Sequence, residues 1–146
     1  MARVKRDSGW AKAIRNLVGK KTVTVGIHKA DNARPDALTN AQIGAWQEFG
    51  TGAIPARSFI RAPYEKAERE GRVKATTAMA AIARGKMTPD RALSLIGMFF
   101  KAKMQQAIRA NIPPALADST IVAKGSSTPL IDTGQLLRSI DYEVKT

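Results

Sequence analysis

The sequence predicts a single α+β domain that combines short strands with long α-helices. Residues 21–27 and 139–145 alternate apolar and polar side chains with the period of a half-buried strand. The stretch between residues 62 and 109 has the composition and the apolar spacing of helices instead. A chain of 146 residues is long enough for one core, so we expect one domain over residues 1–146.

The first half of the chain is predicted to contain two helices, a strand and a loop. Trp10 begins an i, i+4, i+7, i+8 apolar pattern, which predicts an amphipathic helix, and Gly50 is suited to end the second helix in a left-handed conformation. The predicted elements are a helix over 10–18, a strand over 21–27, a loop over 29–37 and a helix from Thr39 or Asn40 to Phe49.

The second half is predicted to contain two long helices, a loop, a short helix and a strand. Thr88, Pro89 and Asp90 form a typical helix start, with a cap, a first-turn proline and an acid near the positive helix end. Asp132 is predicted to cap the short helix, with Gln135 at its third position. The elements are a helix over 62–83 broken near Gly71, a helix from Thr88 to about Ala107, a loop over 111–128, and a strand over 139–145.

These patterns also predict which apolar side chains form the core. The strands contribute their inward positions and the helices contribute one face each. The predicted core is Val23, Val25, Ile27, Trp46, Phe49, Leu93, Ile96, Phe100, Ile140 and Tyr142.

The charge of the chain is strongly positive and unevenly distributed. The net charge is +12, and residues 1–30 carry eight Lys or Arg against the single Asp7. Such a field attracts polyanions at low salt, so the basic residues are candidates to face DNA or an acidic partner. These candidates are Lys5, Arg6, Lys12, Arg15, Lys20 and Lys21.

Signals for an enzyme, a metal site or a membrane protein are weak. The chain has no Cys, its only histidine is His28, and its longest apolar run is far shorter than the roughly 20 residues that span a bilayer. The Asp132-Thr133-Gly134 sequence resembles an aspartic-protease motif, but a catalytic dyad needs two such acids, and a helix cap explains the motif better. We expect no catalytic residue, no cofactor, no metal and no membrane partner.

Three short motifs carry a resemblance to a known family. They are Glu48-Phe49-Gly50-Thr51, the segment Ile54-Pro55-Ala56-Arg57-Ser58-Phe59-Ile60-Arg61, and Asp132-Thr133-Gly134-Gln135-Leu136 followed by Ser139-Ile140. In this order and spacing they resemble the head-tail joining proteins of tailed bacteriophages, the neck or tail-completion components, and the related phage virion-morphogenesis proteins. The sequence departs from the family at Ser58, where a second proline is frequent.

The resemblance implies an α+β fold in which a small antiparallel sheet is packed against long α-helices. It also implies a structural role in the virion, with assembly in the cytoplasm of the bacterial host. It implies a sixfold or twelvefold ring of identical chains in the neck, in contact with portal or adaptor proteins and with tail-tube or tail-terminator proteins. Non-specific contact with phage DNA is a further expectation. The rival interpretation is a basic nucleic-acid-binding protein that needs no ring partners.

Four residues of the motifs are candidates for the interface or the DNA channel. They are Glu48, Arg57, Phe59 and Arg61. A helix end next to a Pro-Ala-Arg segment also suggests that Glu48 and Arg57 form an ion pair. The segment from Gly50 to Phe59 and the 111–128 loop are expected to become ordered only against neighbouring subunits.

Overall fold

The described part of the chain combines two strands with four helices, and the α+β prediction is confirmed. A computed structural model describes residues 19–28, 38–115, 122 and 134–145. The elements in chain order are β1 (Thr22–Ile27), α1 (Asn40–Phe49), α2 (Arg61–Ala83), α3 (Pro89–Arg109), α4 (Gln135–Ser139) and β2 (Ile140–Lys145). The predicted helix over 10–18, the loop over 29–37 and most of the loop over 111–128 lie outside the described residues.

The sheet of the described region is a single antiparallel pair, β1 with β2. Thr22 lies opposite Lys145 and Ile27 lies opposite Ile140, so the register extends over the whole length of both strands. One face of the pair packs on α3, and the other long helix, α2, packs on α3 as well. Helix α3 is therefore the centre of the molecule, as its regular apolar spacing indicates.

The starts of α1 and α3 follow the sequence signals, whereas the start of α4 does not. In α1, the Thr39 hydroxyl accepts a hydrogen bond from the Gln42 backbone N–H at 3.1 Å, and the Gln42 side chain accepts one from the Thr39 N–H at 2.9 Å. Thr88 caps α3 in the predicted way, with Pro89 in the first turn. Helix α4 begins at Gln135 after the left-handed Gly134, so the prediction of Gln135 as its third residue is wrong.

Two expectations about the helices are corrected. Helix α2 runs unbroken through Gly71, because that glycine lies against the Phe100 ring of α3 and serves close packing instead of a break. Trp46 and Phe49 are 39% and 72% exposed, so they are not core residues. The inward face of α1 is formed by Asn40, Gly44 and Glu48 instead.

Among the described residues, the buried apolar side chains form two clusters. The larger one contains the buried residues Phe59, Met104, Ile108, Leu136 and Ile140, with Val25 and Ile27 packed against it. The smaller one contains Ala78, Ile82 and Ala92 near the turn between α2 and α3.

An ion pair adds to the contact between α3 and β2. Lys101 Nζ donates a hydrogen bond to Asp141 Oδ1 at 2.8 Å. This hydrogen bond lowers the pKa of the Asp141 carboxyl, and a further hydrogen bond from the Tyr142 backbone N–H acts in the same direction. The carboxylate stays ionised at neutral pH and stabilises the position of the sheet on α3.

We expect Gly97→Ala to destabilise the protein at the contact between α3 and β2. A Cβ atom at Gly97 would lie 2.6 Å from Cγ of Tyr142, closer than such atoms approach. Overpacking of this kind costs roughly 1–3 kcal/mol, partly offset by the higher helix propensity of alanine, so the free energy of unfolding should fall by about 1–2 kcal/mol. Urea denaturation measures this. Gly52→Ala, where the added Cβ meets nothing within 4 Å, is the control, and an equal effect of both changes would contradict the prediction.

Candidate functional site

The segment that joins α1 to α2 contains two of the three motifs, and we call residues 48–61 the α1–α2 junction. Its centre is the Glu48 side chain, which is only 6% exposed at the end of α1. Oε2 accepts hydrogen bonds from the backbone N–H groups of Phe59 and Ile60 at 2.8 and 2.9 Å. Oε1 accepts from the Ser58 hydroxyl at 2.7 Å and from the Arg61 N–H at 3.1 Å.

These contacts make Glu48 the N-terminal cap of α2. The residue in the cap position itself, Ile60, has no side chain that could bind the first backbone N–H groups of the helix. A carboxylate there also interacts favourably with the positive end of the helix dipole. Glu48 thus couples the end of one helix to the beginning of the next.

Ser58 strengthens the same cap at the point where the sequence departs from the family pattern. Its hydroxyl donates to Glu48 and accepts a hydrogen bond from the Ala62 N–H at 3.0 Å. A proline at this position would offer neither bond, because its ring carries no hydroxyl. The segment is held by hydrogen bonds here instead of by a second ring.

Gly50 and Thr51 shape the turn that leaves α1. Gly50 has φ of 76°, and a Cβ there would lie 2.9 Å from the Ala56 nitrogen, so only glycine fits without strain. The Thr51 hydroxyl accepts hydrogen bonds from the N–H groups of Ala53 and Ile54 at 3.3 and 3.0 Å. The chain therefore reverses tightly after Glu48 and brings residues 57–61 back to it.

Arg57 ties the junction to a distant part of the chain. The side chain is 3% exposed, and its Nε and Nη2 atoms both donate to the carbonyl oxygen of Pro114, at 3.0 and 2.7 Å. Its backbone N–H donates to the Gln47 carbonyl at 2.6 Å. The first residues of the predicted 111–128 loop are thereby fixed against the junction.

One prediction about the junction is wrong. Glu48 and Arg57 do not form an ion pair, because Glu48 binds the start of α2 whereas Arg57 binds Pro114. The segment from Gly50 to Phe59 makes the Thr51 turn, the Glu48 cap and the Arg57 contact within one chain, and its ordering against neighbouring subunits stays a prediction.

The remaining motif candidates have different positions. Phe59 is 0% exposed in the larger core cluster, so its assignment to an interface or a DNA channel is wrong. The Arg61 side chain is exposed and lies 3.9 Å from the Glu65 carboxylate, one helical turn away. Arg61 therefore stays a surface candidate.

We expect Arg57→Ala to lower the free energy of unfolding by about 1–3 kcal/mol, because it removes two charge-assisted hydrogen bonds to a carbonyl group. Arg57→Lys keeps one donor and should retain part of the stability. Thermal or urea denaturation measures both. Arg61→Ala is the matched control with an exposed side chain, and an effect of Arg57→Ala no larger than that of the control would show that the Pro114 contact is unimportant.

A second candidate surface lies at the turn between α2 and α3. Lys21 Nζ contacts both Asp90 carboxylate oxygens at 2.7 Å, which fixes the start of β1 beside the start of α3. The exposed side chains there are mostly basic, and we call this surface the basic tip. Its members are Lys20, Lys21, Arg84, Lys86 and Arg91.

The structure describes only some of the basic residues that the sequence suggested as candidates for contact with DNA or an acidic partner. Lys20 and Lys21 belong to the basic tip, whereas Lys5, Arg6, Lys12 and Arg15 lie outside the described residues. Sequence reasoning missed Arg84, Lys86 and Arg91, although three basic residues around a Gly turn and a helix start are a visible signal. The fold adds that Lys21 lies beside Asp90, the residue before Arg91.

The histidine and the acidic residues of the described ranges were also considered as parts of a metal site. His28 Nε2 lies 3.1 Å from the Thr24 hydroxyl and 3.9 Å from Glu143, and no group of three His, Cys, Asp or Glu that could hold a metal occurs in ranges 19–28, 38–115 and 134–145. Asp132 and Thr133 lie outside those ranges. Within them, each helix is too short or too polar to cross a membrane.

Comparison with known proteins adds no relative, because no family model, no curated protein and no solved structure matches the chain. The function is therefore argued from the junction, the basic tip and the sequence motifs.

Proposed function

We propose that the protein is a structural component of a tailed-bacteriophage virion, in which it forms a ring in the neck that joins the DNA-filled head to the tail. In this role it is not an enzyme. It is assembled in the host cytoplasm, and its ring has sixfold or twelvefold symmetry. Its neighbours are portal or adaptor proteins on the head side and tail-tube or tail-terminator proteins on the tail side.

One observation carries the proposal. Two of the three motifs that resemble the phage family coincide with the residues that fix the α1–α2 junction: Glu48 caps α2, Gly50 and Thr51 make the turn, and Arg57 holds Pro114. These residues act on the shape of the chain. A motif that preserves shape is what a protein needs when it must fit identical neighbours in a ring.

The exposed apolar residues beside the junction support the same role. Trp46 and Phe49 lie on the outer face of α1 and are 39% and 72% exposed, respectively. Exposed aromatic side chains of this size are enriched at protein interfaces. We infer that the outer face of α1 contacts a neighbouring subunit of the ring.

Electron microscopy of phage lysates tests the proposal. The phage that carries this gene receives a stop codon at Trp10, and the protein is supplied from a plasmid in a parallel culture. DNA-filled heads beside unattached or malformed tails, rescued by the plasmid, are the expected result. Normal virions without the protein would overturn a joining or tail-completion role.

The basic tip favours a second candidate function, the binding of nucleic acid by charge. Arg84, Lys86 and Arg91 are exposed around the turn between α2 and α3, and Lys20 precedes Lys21, which binds Asp90 at the start of α3. Phosphate contacts of such residues carry no sequence information and weaken with salt. In a neck ring the same surface would face the DNA in the channel, whereas in a free DNA-binding protein it would act alone.

We expect the triple variant Arg84→Glu, Lys86→Glu and Arg91→Glu to weaken binding to duplex DNA and to reduce its salt dependence. Each lost phosphate contact lowers the slope of log K against log salt by about 0.9, so three contacts lower it by about 3. Fluorescence anisotropy with a labelled duplex measures both quantities at several salt concentrations.

The control variant carries the same change of charge at Lys66, Arg69 and Arg109, which are exposed but lie outside the basic tip. Equal losses in both variants would indicate attraction by net charge only. No DNA binding by the unchanged protein would eliminate the second candidate function and leave the joining role untouched.

A further inference from the structure

An apolar groove of about 630 Å³ runs between α2 and α3 on the surface of the chain. Its walls include Val73 and Thr77 of α2, Leu95 and Met98 of α3, and Met87 from the turn between them. Val73, Leu95 and Met98 are 62%, 46% and 52% exposed. A contiguous apolar surface of this kind normally marks a place where another element docks.

The chain enters the described structure close to one end of this groove. Lys21 is fixed to Asp90 in the first turn of α3, and Met87, which lines the groove, precedes Asp90 by less than one turn. Gly19 lies just before Lys21 and has φ of 62°, the left-handed conformation that commonly ends a helix and reverses the chain. Residues that precede Gly19 are therefore within reach of the groove.

The sequence of those residues suits such a site. Trp10, Ile14, Leu17 and Val18 fall on one face of a helix, and Lys12 and Arg15 fall on the opposite face at about 100° per residue. A helix over residues 10–18 is about 13 Å long, and the part of α2 from Val73 to Ala81 that lines the groove has the same length, about 13 Å. The apolar face and the groove thus match in length and in chemistry.

We propose that residues 10–18 dock as a helix into the α2–α3 groove of their own chain. Trp10, Ile14 and Leu17 then cover Leu95 and Met98, and the cationic face of the helix points to solvent. Lys12 and Arg15 extend the positive surface of the basic tip along the α2–α3 face. This inference does not depend on the phage role, because it follows from the groove and the position of Gly19.

The absence of cysteine from the chain allows a clean cross-linking test. Ile14→Cys is combined with Thr77→Cys in the full-length protein, and a short bis-maleimide is added at low protein concentration. The expected product is a cross-link within one chain, identified by mass spectrometry. The control pairs Ile14→Cys with Phe49→Cys, whose side chain is exposed on α1 and does not line the groove.

Three outcomes would overturn the proposal. One is no cross-link between positions 14 and 77, another is a cross-link of equal yield in the control, and the third is a product that joins only two different chains. The last result would assign the groove to a second copy of the protein. Circular dichroism of each double variant establishes that it is folded.

A second measurement uses the fluorescence of Trp10. The Trp46→Phe protein keeps Trp10 as its only tryptophan, and its emission should be that of a partly buried indole. Adding Leu95→Glu and Met98→Glu should shift the emission to the red, whereas adding Phe49→Glu should leave it unchanged. An emission spectrum that responds to none of these changes would also overturn the proposal.

Discussion

Glu48→Ala is expected to lower the free energy of unfolding by about 3 kcal/mol or more. The change removes the acceptor of four hydrogen bonds, three of them from backbone N–H groups at the start of α2. A buried donor without an acceptor costs about 1–3 kcal/mol, and loss of a helix cap alone costs about 0.5–2 kcal/mol. Water reaches the more exposed donors, Ser58 and Arg61, so the separate costs do not simply add. Urea denaturation measures the loss.

Two variants test whether the cap is the cause. Glu48→Gln keeps one carbonyl oxygen but turns an amide N–H₂ group towards backbone donors, so it should be less stable than the unchanged protein and more stable than Glu48→Ala. Glu65→Ala removes an exposed carboxylate from the first turns of α2 and should change the stability by about 0.5 kcal/mol at most. If Glu48→Ala were as mild as Glu65→Ala, the junction would not depend on this cap.

Phe59→Ala is expected to cost about 3–5 kcal/mol, which is the usual range for removing a fully buried phenylalanine side chain. The ring is 0% exposed among Met104, Ile108, Leu136 and Ile140, so its removal leaves a cavity between the junction, α3 and the end of the chain. The free energy of unfolding of the isolated protein is the quantity to measure.

Phe49→Ala is the matched control, since Phe49 is also a junction aromatic but is 72% exposed. Its removal should change the stability by about 0.5 kcal/mol and should act instead on contacts with other subunits. The opposite pattern, with Phe49 essential for stability and Phe59 dispensable, would reverse the assignment of core and surface in this motif.

Structural elements that are determined by a few neighbouring residues could be predicted from the sequence. Thr88 caps α3, Gly50 ends α1 with positive φ, and the alternation of residues 22–27 gives β1, because each feature depends on a few neighbouring residues. The prediction of buried residues failed where contacts with residues distant in the sequence determine which side chains are buried. Helix α1 packs Gly44 directly against Ile27, where a Cβ atom would not fit. This orientation of the helix leaves Trp46 and Phe49 exposed.

The candidate site shows the same division. The motifs identified Glu48 and Arg57 as important residues, but their partners could not be read from the sequence. Arg57 binds a carbonyl group 57 residues away, which no local pattern indicates. Glu48 binds backbone N–H groups of residues 59–61. Because these groups do not depend on the residue type, the sequence does not indicate this contact.

The pairing of β1 with β2 also sets an order of folding. Thr22 meets Lys145, so the sheet closes a loop that contains nearly all of the described chain, and such closure loses much chain entropy before any contact compensates it. Helices α2 and α3 are joined by a short turn and can pair much earlier. We therefore expect the sheet to form last, so that substitutions in it accelerate unfolding more than they slow folding.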